Sequence, residues 1–193
     1  MVIDVQKKTK FYTPEEYLKL EADAQQRHHY IKGKIIEMAG GTPNHNKIAL
    51  NLSSALNFAL KGKPLDIFMT DQRLWIPSEK IYTYPDIMVV EQPLNYAQNR
   101  HDTLINPLLI VEVLSTSTRN YDKDEKFAAY RTISSFQEYI LIDQHCIHIE
   151  QYSRQESNKW TFIEYNNLTD TLTLSSVNFE IELVDIYDKV NFT

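Results

Sequence analysis

The stretch that decides the fold is residues 84–131, which read YPDIMVVEQPLNYAQNRHDTLINPLLIVEVLSTSTRNYDKDEKFAAYR. Asp86 directly precedes the apolar run 87–90, and Glu112 lies inside a second apolar run, 108–114. Short continuous apolar runs of this kind are typical of buried β-strands. The end of the stretch predicts a helix. We therefore expect a sheet and a helix to bring two acids and a lysine close together.

The residues on either side of this stretch predict both helices and strands. Thr13 followed by Pro14 and Glu16 has the pattern of a helix N-terminus with a capping box, which predicts a helix over 14–24. Apolar residues at three- and four-residue spacings predict a second helix between Thr42 and Gly62. Strands are predicted at 28–31, 34–38, 65–69, 73–76, 139–142, 147–152 and 160–165. The predicted fold class is mixed α and β, α+β, with a central mixed sheet flanked by helices.

Three further segments complete the prediction. Residues 91–106 are polar and irregular, which predicts a surface loop. Asp122 is expected to cap a helix that continues to Ile133, with Glu125 in the capping-box position. Residues 184–190 predict a short helix near the end of the sequence.

Length and composition favour one globular domain over 1–193, with residues 1–12 as a loosely ordered N-terminal arm. No apolar run approaches the ~20 residues that a membrane-spanning helix needs, and the N-terminus does not resemble a signal peptide. We therefore expect a cytoplasmic protein without a membrane partner. The net charge of −6 argues against tight sequence-independent binding of nucleic acid, because such binding usually requires a basic surface. It does not argue against catalysis, since an acidic active site is itself negative.

The acids in the two apolar runs are the main candidates for chemistry. An unpaired carboxylate at Glu112 would cost several kcal/mol, so it needs a partner, and a buried ion pair is the structural alternative. Asp86 follows a proline, and a Pro-Asp pair is also common in turns that precede a strand. On neighbouring strands, the two carboxylates could share Mg²⁺, with Mn²⁺ as a substitute, because hard cations prefer oxygen ligands. A bound ion would activate water for hydrolysis of a phosphodiester.

The helix predicted after the second run supplies a lysine. Lys126 lies four residues after Asp122, so the two share a helix face, and a surface ion pair between them is the alternative to a catalytic role. Lys123 is a competing candidate for the active-site lysine. The hydroxyls of Ser115 and Thr118 could hold a phosphate, although a structural turn explains them equally well. The spacing of the histidines predicts no zinc site that they would form among themselves.

Several motifs together carry a family resemblance over nearly the whole chain. The segments that carry it are 30–33, 38–45, 84–90, 110–118, 122–130 and 138–143. In this combination they resemble the Uma-type family of candidate restriction endonucleases. That family is similar to the PD-(D/E)XK nuclease superfamily. The resemblance implies a four- or five-stranded mixed core sheet with helices on both sides and a Mg²⁺-dependent phosphodiesterase centre.

By position, the resemblance implies that Asp86 and Glu112 are metal ligands and that Lys126 is the catalytic lysine that orients water or stabilises charge. His45 matches a family position and is implied as a phosphate contact, with a helix cap or a surface histidine as the alternative. Two residues depart from the expected pattern. Leu114 stands where the wider superfamily has its lysine, and His29 stands where the family usually has glutamate.

The sequence therefore predicts an endonuclease that hydrolyses DNA phosphodiester bonds with Mg²⁺-activated water. The alternative is a catalytically weak or inactive nuclease-fold module that binds nucleic acid or a protein partner. The net acidity, His29 and Leu114 favour that alternative. A homodimer is expected by analogy, because two cuts in a duplex need two centres.

Overall fold

A computed structural model of the protein describes residues 10–38, 40–115 and 119–192. Its helices are α1 (Pro14–Ala22), α2 (Pro43–Ala59), α3 (Arg119–Tyr121), α4 (Phe127–Tyr130) and α5 (Leu183–Ile186). A π-helical turn, Asp122–Lys126, joins α3 to α4. The strands are β1 (His28–Ile31), β2 (Lys34–Glu37), β3 (Leu65–Met69), β4 (Arg73–Ile76), β5 (Ile81–Thr83), β6 (Ile87–Glu91), β7 (Thr103–Leu104), β8 (Pro107–Leu114), β9 (Glu138–Asp143), β10 (Ile149–Glu156), β11 (Lys159–Tyr165), β12 (Thr171–Leu174) and β13 (Phe179–Glu182).

The largest sheet has the strand order β11-β10-β9-β8-β6-β3. Strand β8 is near its centre, antiparallel to β6 and parallel to β9, so the sheet is mixed. Leu109, Val111 and Val113 on one face of β8 join a core with α2 and α5. Ile110 and Leu114 on the other face join a second core with Tyr130 and other aromatic residues. Both faces of β8 are buried, as its continuous apolar sequence predicts.

A second sheet has the order β2-β1-β5-β4-β7 and carries a small aromatic core against α1. The capping box predicted at the start of α1 is present, with Thr13 and Glu16 bonding to each other's backbone N–H groups. Strands β1 and β2 form the predicted hairpin at the edge of the sheet. Its turn needs Gly33, whose φ is +95° and whose position leaves no room for a Cβ beside Phe11.

The mixed α+β class with a central mixed sheet is confirmed, and several details differ from the predictions. The segment predicted as a surface loop contains β7, which pairs in parallel with β4 and is buried. Strands β12 and β13 were not predicted. The largest sheet has six strands rather than four or five. Asp122 does not cap a helix, because Arg119–Tyr121 before it is already helical and Asp122 lies inside the helical segment.

Within the described residues, no helix combines the length and the apolar character that are needed to cross a bilayer.

Candidate active site

A polar cavity of about 470 Å³ opens where strands β6 and β8, the first turn of α2 and the π-helical turn meet. Most of the candidate residues from the sequence line this cavity. Its ionisable lining includes His29, His45, Asp86, Glu112, Asp122, Lys126 and His145. The fold therefore brings two strands and two helical segments, distant in sequence, to one concave surface.

Asp86 is held at the entrance to β6. Because Ile87 pairs with Val111 in antiparallel register, Asp86 lies beside Glu112 on the neighbouring strand. Its Oδ2 accepts a hydrogen bond of 2.7 Å from the backbone N–H of Val113. The same oxygen lies 3.1 Å from Nε2 of His45. The Asp86 carboxylate is thus oriented from two sides before any ligand binds.

His45 reaches Asp86 from the first turn of α2. The Thr42 hydroxyl caps the helix by accepting a hydrogen bond from the backbone N–H of His45. The imidazole ring of His45 takes no part in this cap. Burial alone would lower the pKa of His45, but the hydrogen bond and the negative charge of Asp86 raise it above the ordinary value. The ring is therefore a hydrogen-bonding partner that helps to orient Asp86. Its Nδ1 is buried without a hydrogen-bond partner among the described residues.

Glu112 is almost completely buried, with 2% of its surface exposed. Its Oε1 accepts hydrogen bonds from Nζ of Lys126 at 2.9 Å and from the hydroxyl of Tyr130 at 2.8 Å. Burial raises the pKa of Glu112 to about 8, and the ammonium of Lys126 opposes that rise. An ionised Glu112 therefore depends on the positive charge beside it.

Lys126 is the cation at this site, and it is 5% exposed. Besides Glu112, its Nζ lies 2.8 Å from Oδ1 of Asp122. Burial alone would lower the pKa of Lys126, but Glu112, Tyr130 and Asp122 raise it well above the ordinary value. The ion pair between Asp122 and Lys126, which the sequence suggested as a surface pair, does form. It is buried, however, and the same ammonium also binds Glu112.

The competing lysine lies elsewhere. Lys123 forms an ion pair with Glu150 on β10. The turn of the helix thus directs Lys126, and not Lys123, towards the two candidate metal ligands.

The remaining predicted residues differ in their positions. Ser115 follows β8 and lines the cavity, whereas Thr118 lies outside the described residues. Leu114, at the position of the superfamily lysine, is buried in the second core, where it packs among apolar and aromatic side chains.

His29 also lines the cavity, with Nδ1 3.1 Å from the Thr83 hydroxyl. Burial and the charge of Lys126 lower its pKa to about 3, so the ring is neutral.

Two residues that contact Lys126 or Glu112 were not among the predicted site residues. Asp122, which lines the cavity, was interpreted as a helix cap, and Tyr130, which is buried behind Glu112 in the second core, as a packing residue. The signal for both was their four-residue spacing from Lys126, which puts all three side chains on one helical face. What the sequence could not indicate is that this face is turned towards Glu112.

The donor atoms suit Mg²⁺ or Mn²⁺. Asp86 and Glu112 line one cavity, and Mg²⁺ is commonly bound by one or two carboxylates together with water. Oδ1 of Asp122 is buried beside them and accepts no well-directed hydrogen bond from the described residues, although Lys126 is close.

In the described ranges, three potential ligand atoms lie within 4.8 Å of one another only at His148, Glu150 and Glu164, away from this cavity. A metal ion held by Asp86 and Glu112 would therefore keep several waters.

Comparisons with known proteins identify the family and relatives of the chain. A protein-family model described as "Uma2: Putative restriction endonuclease" matches residues 14–184. The uncharacterized protein sll1609 of Synechocystis is 42% identical over 156 residues, which cover 81% of this chain and 88% of the relative. A second Synechocystis protein, slr1290, is 32% identical over 180 residues, 93% of each chain.

A crystal structure from Anabaena variabilis, described as "a putative nuclease belonging to DUF820", has the same fold. Its TM-score is 0.75 at 21% identity, and the match covers 91% of this chain and 97% of that one.

Proposed function

The chain belongs to the Uma2 family, a restriction-endonuclease-like family, and we propose that it is an endonuclease that hydrolyses DNA phosphodiester bonds with a divalent metal ion. The observation that carries this proposal is the meeting of Asp86, Glu112 and Lys126 in one cavity. Metal-assisted phosphodiester hydrolysis needs ligands for a cation, which the two carboxylates supply. It also needs a positive charge near the developing anion, which the ammonium supplies.

Asp86 and Glu112 would hold the ion, Mg²⁺ or Mn²⁺. When bound, such an ion supplies a Lewis acid that lowers the pKa of a coordinated water and stabilises oxygen charge. His45 and the N–H of Val113 keep Asp86 oriented towards the cavity, and the hydroxyl of Tyr130 keeps Glu112 in place. We assign His45 this positioning role in addition to any contact with phosphate.

The ammonium of Lys126 faces the cavity and is the donor for the charge that develops on the phosphoryl oxygens. In the reaction, a water oxygen loses a proton to solvent and bonds to phosphorus, the ester P–O bond breaks, and the leaving oxygen takes a proton from solvent. The hydroxyls of Ser115 and Thr118 remain proposed phosphate contacts. DNA is the proposed substrate, and a homodimer would supply two centres for two strands.

One observation favours a second candidate function. Asp86 and Glu112 already have internal partners, because Asp86 is hydrogen-bonded to His45 and Glu112 forms an ion pair with Lys126. A protein that never binds a metal would keep these pairs intact, and it would act as a nuclease-fold module that binds nucleic acid or a protein. The two candidates differ in whether the cavity acquires a divalent ion.

Cleavage of supercoiled plasmid DNA with Mg²⁺ or Mn²⁺ tests the proposal. We expect the wild-type protein to nick or linearise the plasmid. Glu112→Gln should reduce the rate by at least about 100-fold, because even partners of metal ligands contribute 10–100-fold. The matched control is Glu150→Gln, a buried strand glutamate outside the cavity, which should cut as the wild type does. Absence of cleavage with both ions, or full activity of Glu112→Gln, would contradict the proposal.

A further inference from the structure

A single positive side chain lies between two of the three carboxylates of the cavity. Resting on the proposed function, we infer that the ammonium of Lys126 takes the place of a second divalent ion, so that this site binds one metal ion and not two. Nζ of Lys126 is 2.9 Å from Oε1 of Glu112 and 2.8 Å from Oδ1 of Asp122. The ammonium thus bridges these two carboxylates.

Sites that use two ions place them about 3.5–4 Å apart, close enough to share a ligand between them. In this cavity Glu112 would be the shared ligand, because it lies beside Asp86 on the adjacent strand and is joined through Lys126 to Asp122. The bridge between Glu112 and Asp122 is already made by the ammonium. A second cation could enter there only by displacing a buried side chain.

The ammonium of Lys126 also occupies the place where a second cation would meet Asp122. Its removal would leave the carboxylates of Glu112 and Asp122 on either side of a space that a second ion could fill. Oδ1 of Asp122 is buried and accepts no well-directed hydrogen bond from the described residues, so it is available as a ligand once the ammonium is removed.

The backbone holds Asp122 and Lys126 in this position. They are four residues apart in the π-helical turn, and such turns are frequent at functional sites. The hydroxyl of Tyr139 donates a hydrogen bond of 3.0 Å to the backbone oxygen of Asp122. The ammonium is therefore anchored by the fold and by both carboxylates.

Calorimetric titration with MnCl₂ in the absence of DNA tests the inference by stoichiometry. All proteins should carry His148→Ala, which disrupts the one group of three close ligand atoms in the described part of the chain. We expect one Mn²⁺ per chain in this background and two when Lys126→Ala is added. Adding Asp122→Asn to Lys126→Ala should restore one. Lys123→Ala, which removes the neighbouring lysine outside the cavity, should leave the number at one.

Lys126→Gln is titrated in parallel in case Lys126→Ala does not fold. This variant removes the positive charge but keeps hydrogen-bond donors. Circular dichroism checks that both variants are folded. We expect Lys126→Gln also to bind two ions.

One ion in the background protein and one ion in the folded Lys126 variants would overturn this inference but leave the proposed function standing. Two ions in the background protein would also overturn the inference and leave the proposed function standing. No ion at all would overturn both, since the inference rests on a metal held by Asp86 and Glu112.

Discussion

Two lysines of one helical turn, Lys126 and Lys123, each pair with a glutamate of the large sheet, and their surroundings are opposite. Lys126 meets Glu112 beside the cavity, where both side chains are buried. Lys123 meets Glu150 on β10, where 29% of the lysine side chain is exposed. The same pair of residue types therefore occurs once beside an open polar cavity and once at the outer surface.

The hydrogen bonds of the two glutamates explain the difference. Burial alone would raise the pKa of Glu150, but hydrogen bonds from Lys123 and His148 lower it below the ordinary value. The hydroxyl of Tyr152 adds a further donor. Glu150 thus has enough donors to stay ionised without a metal. Glu112, whose pKa is raised to about 8, does not. A buried ion pair therefore indicates a functional site here where the pKa of its acid stays raised and the acid faces a cavity.

The largest expected contrast is in activity. Lys126→Gln should reduce the rate of DNA cleavage by about 10²–10³-fold, the usual cost of removing a charge-stabilising donor. Lys123→Gln should leave the rate unchanged, because its partner Glu150 lies outside the cavity. Rates are measured on the same plasmid at the lowest Mn²⁺ concentration that saturates the wild-type protein, so that a second ion does not replace the missing ammonium. Equal losses in the two variants would remove the distinction between the two pairs.

The next contrast is in stability. Lys126→Ala leaves Glu112 and Asp122 buried without a cation and should lower the free energy of unfolding by about 3–5 kcal/mol. Lys123→Ala affects a partly exposed pair and should cost about 1 kcal/mol or less. Urea denaturation without metal measures both values. A larger loss for Lys123→Ala would show that the outer pair, and not the cavity pair, holds the helical turn in place.

The smallest contrast is in pH dependence and concerns the outer pair. Burial alone would lower the pKa of His148, but hydrogen bonds to Asn166 and Glu150 raise it above 6.5. A raised folded-state pKa stabilises the fold fully below the unfolded value, and this stabilisation is lost as the pH rises through the folded-state pKa. His148→Gln should therefore lower the free energy of unfolding most at pH values below 6.5 and progressively less above, by about 1 kcal/mol at most.

Urea denaturation of wild type and His148→Gln across this pH range makes the comparison. A difference that stays constant or grows with pH would contradict the assigned partners of His148.

Much of the fold could be predicted because its signals are local. The capping box at Thr13, the Gly33 turn and the apolar run of β8 each depend on residues close together in the sequence. The short strand β7 could not be predicted, since two residues carry no periodicity and its partner β4 is about thirty residues away. Asp122 was interpreted wrongly for a similar reason, because a capping motif and a buried ion-pair residue look alike until the start of the helix is known.

By itself, the sequence determined the class of the fold, the strand that holds Glu112 and the family to which the chain belongs. It also indicated that an acid within an apolar strand must find a partner, because an unpaired buried charge costs too much. Only the tertiary structure decided which partner that is. The register of β6 on β8 sets Asp86 beside Glu112, and the packing of the π-helical turn against the sheet places Lys126 there in place of Lys123. The physical reason is that side-chain contacts across a sheet and a helix depend on register and rotation, which no local pattern specifies.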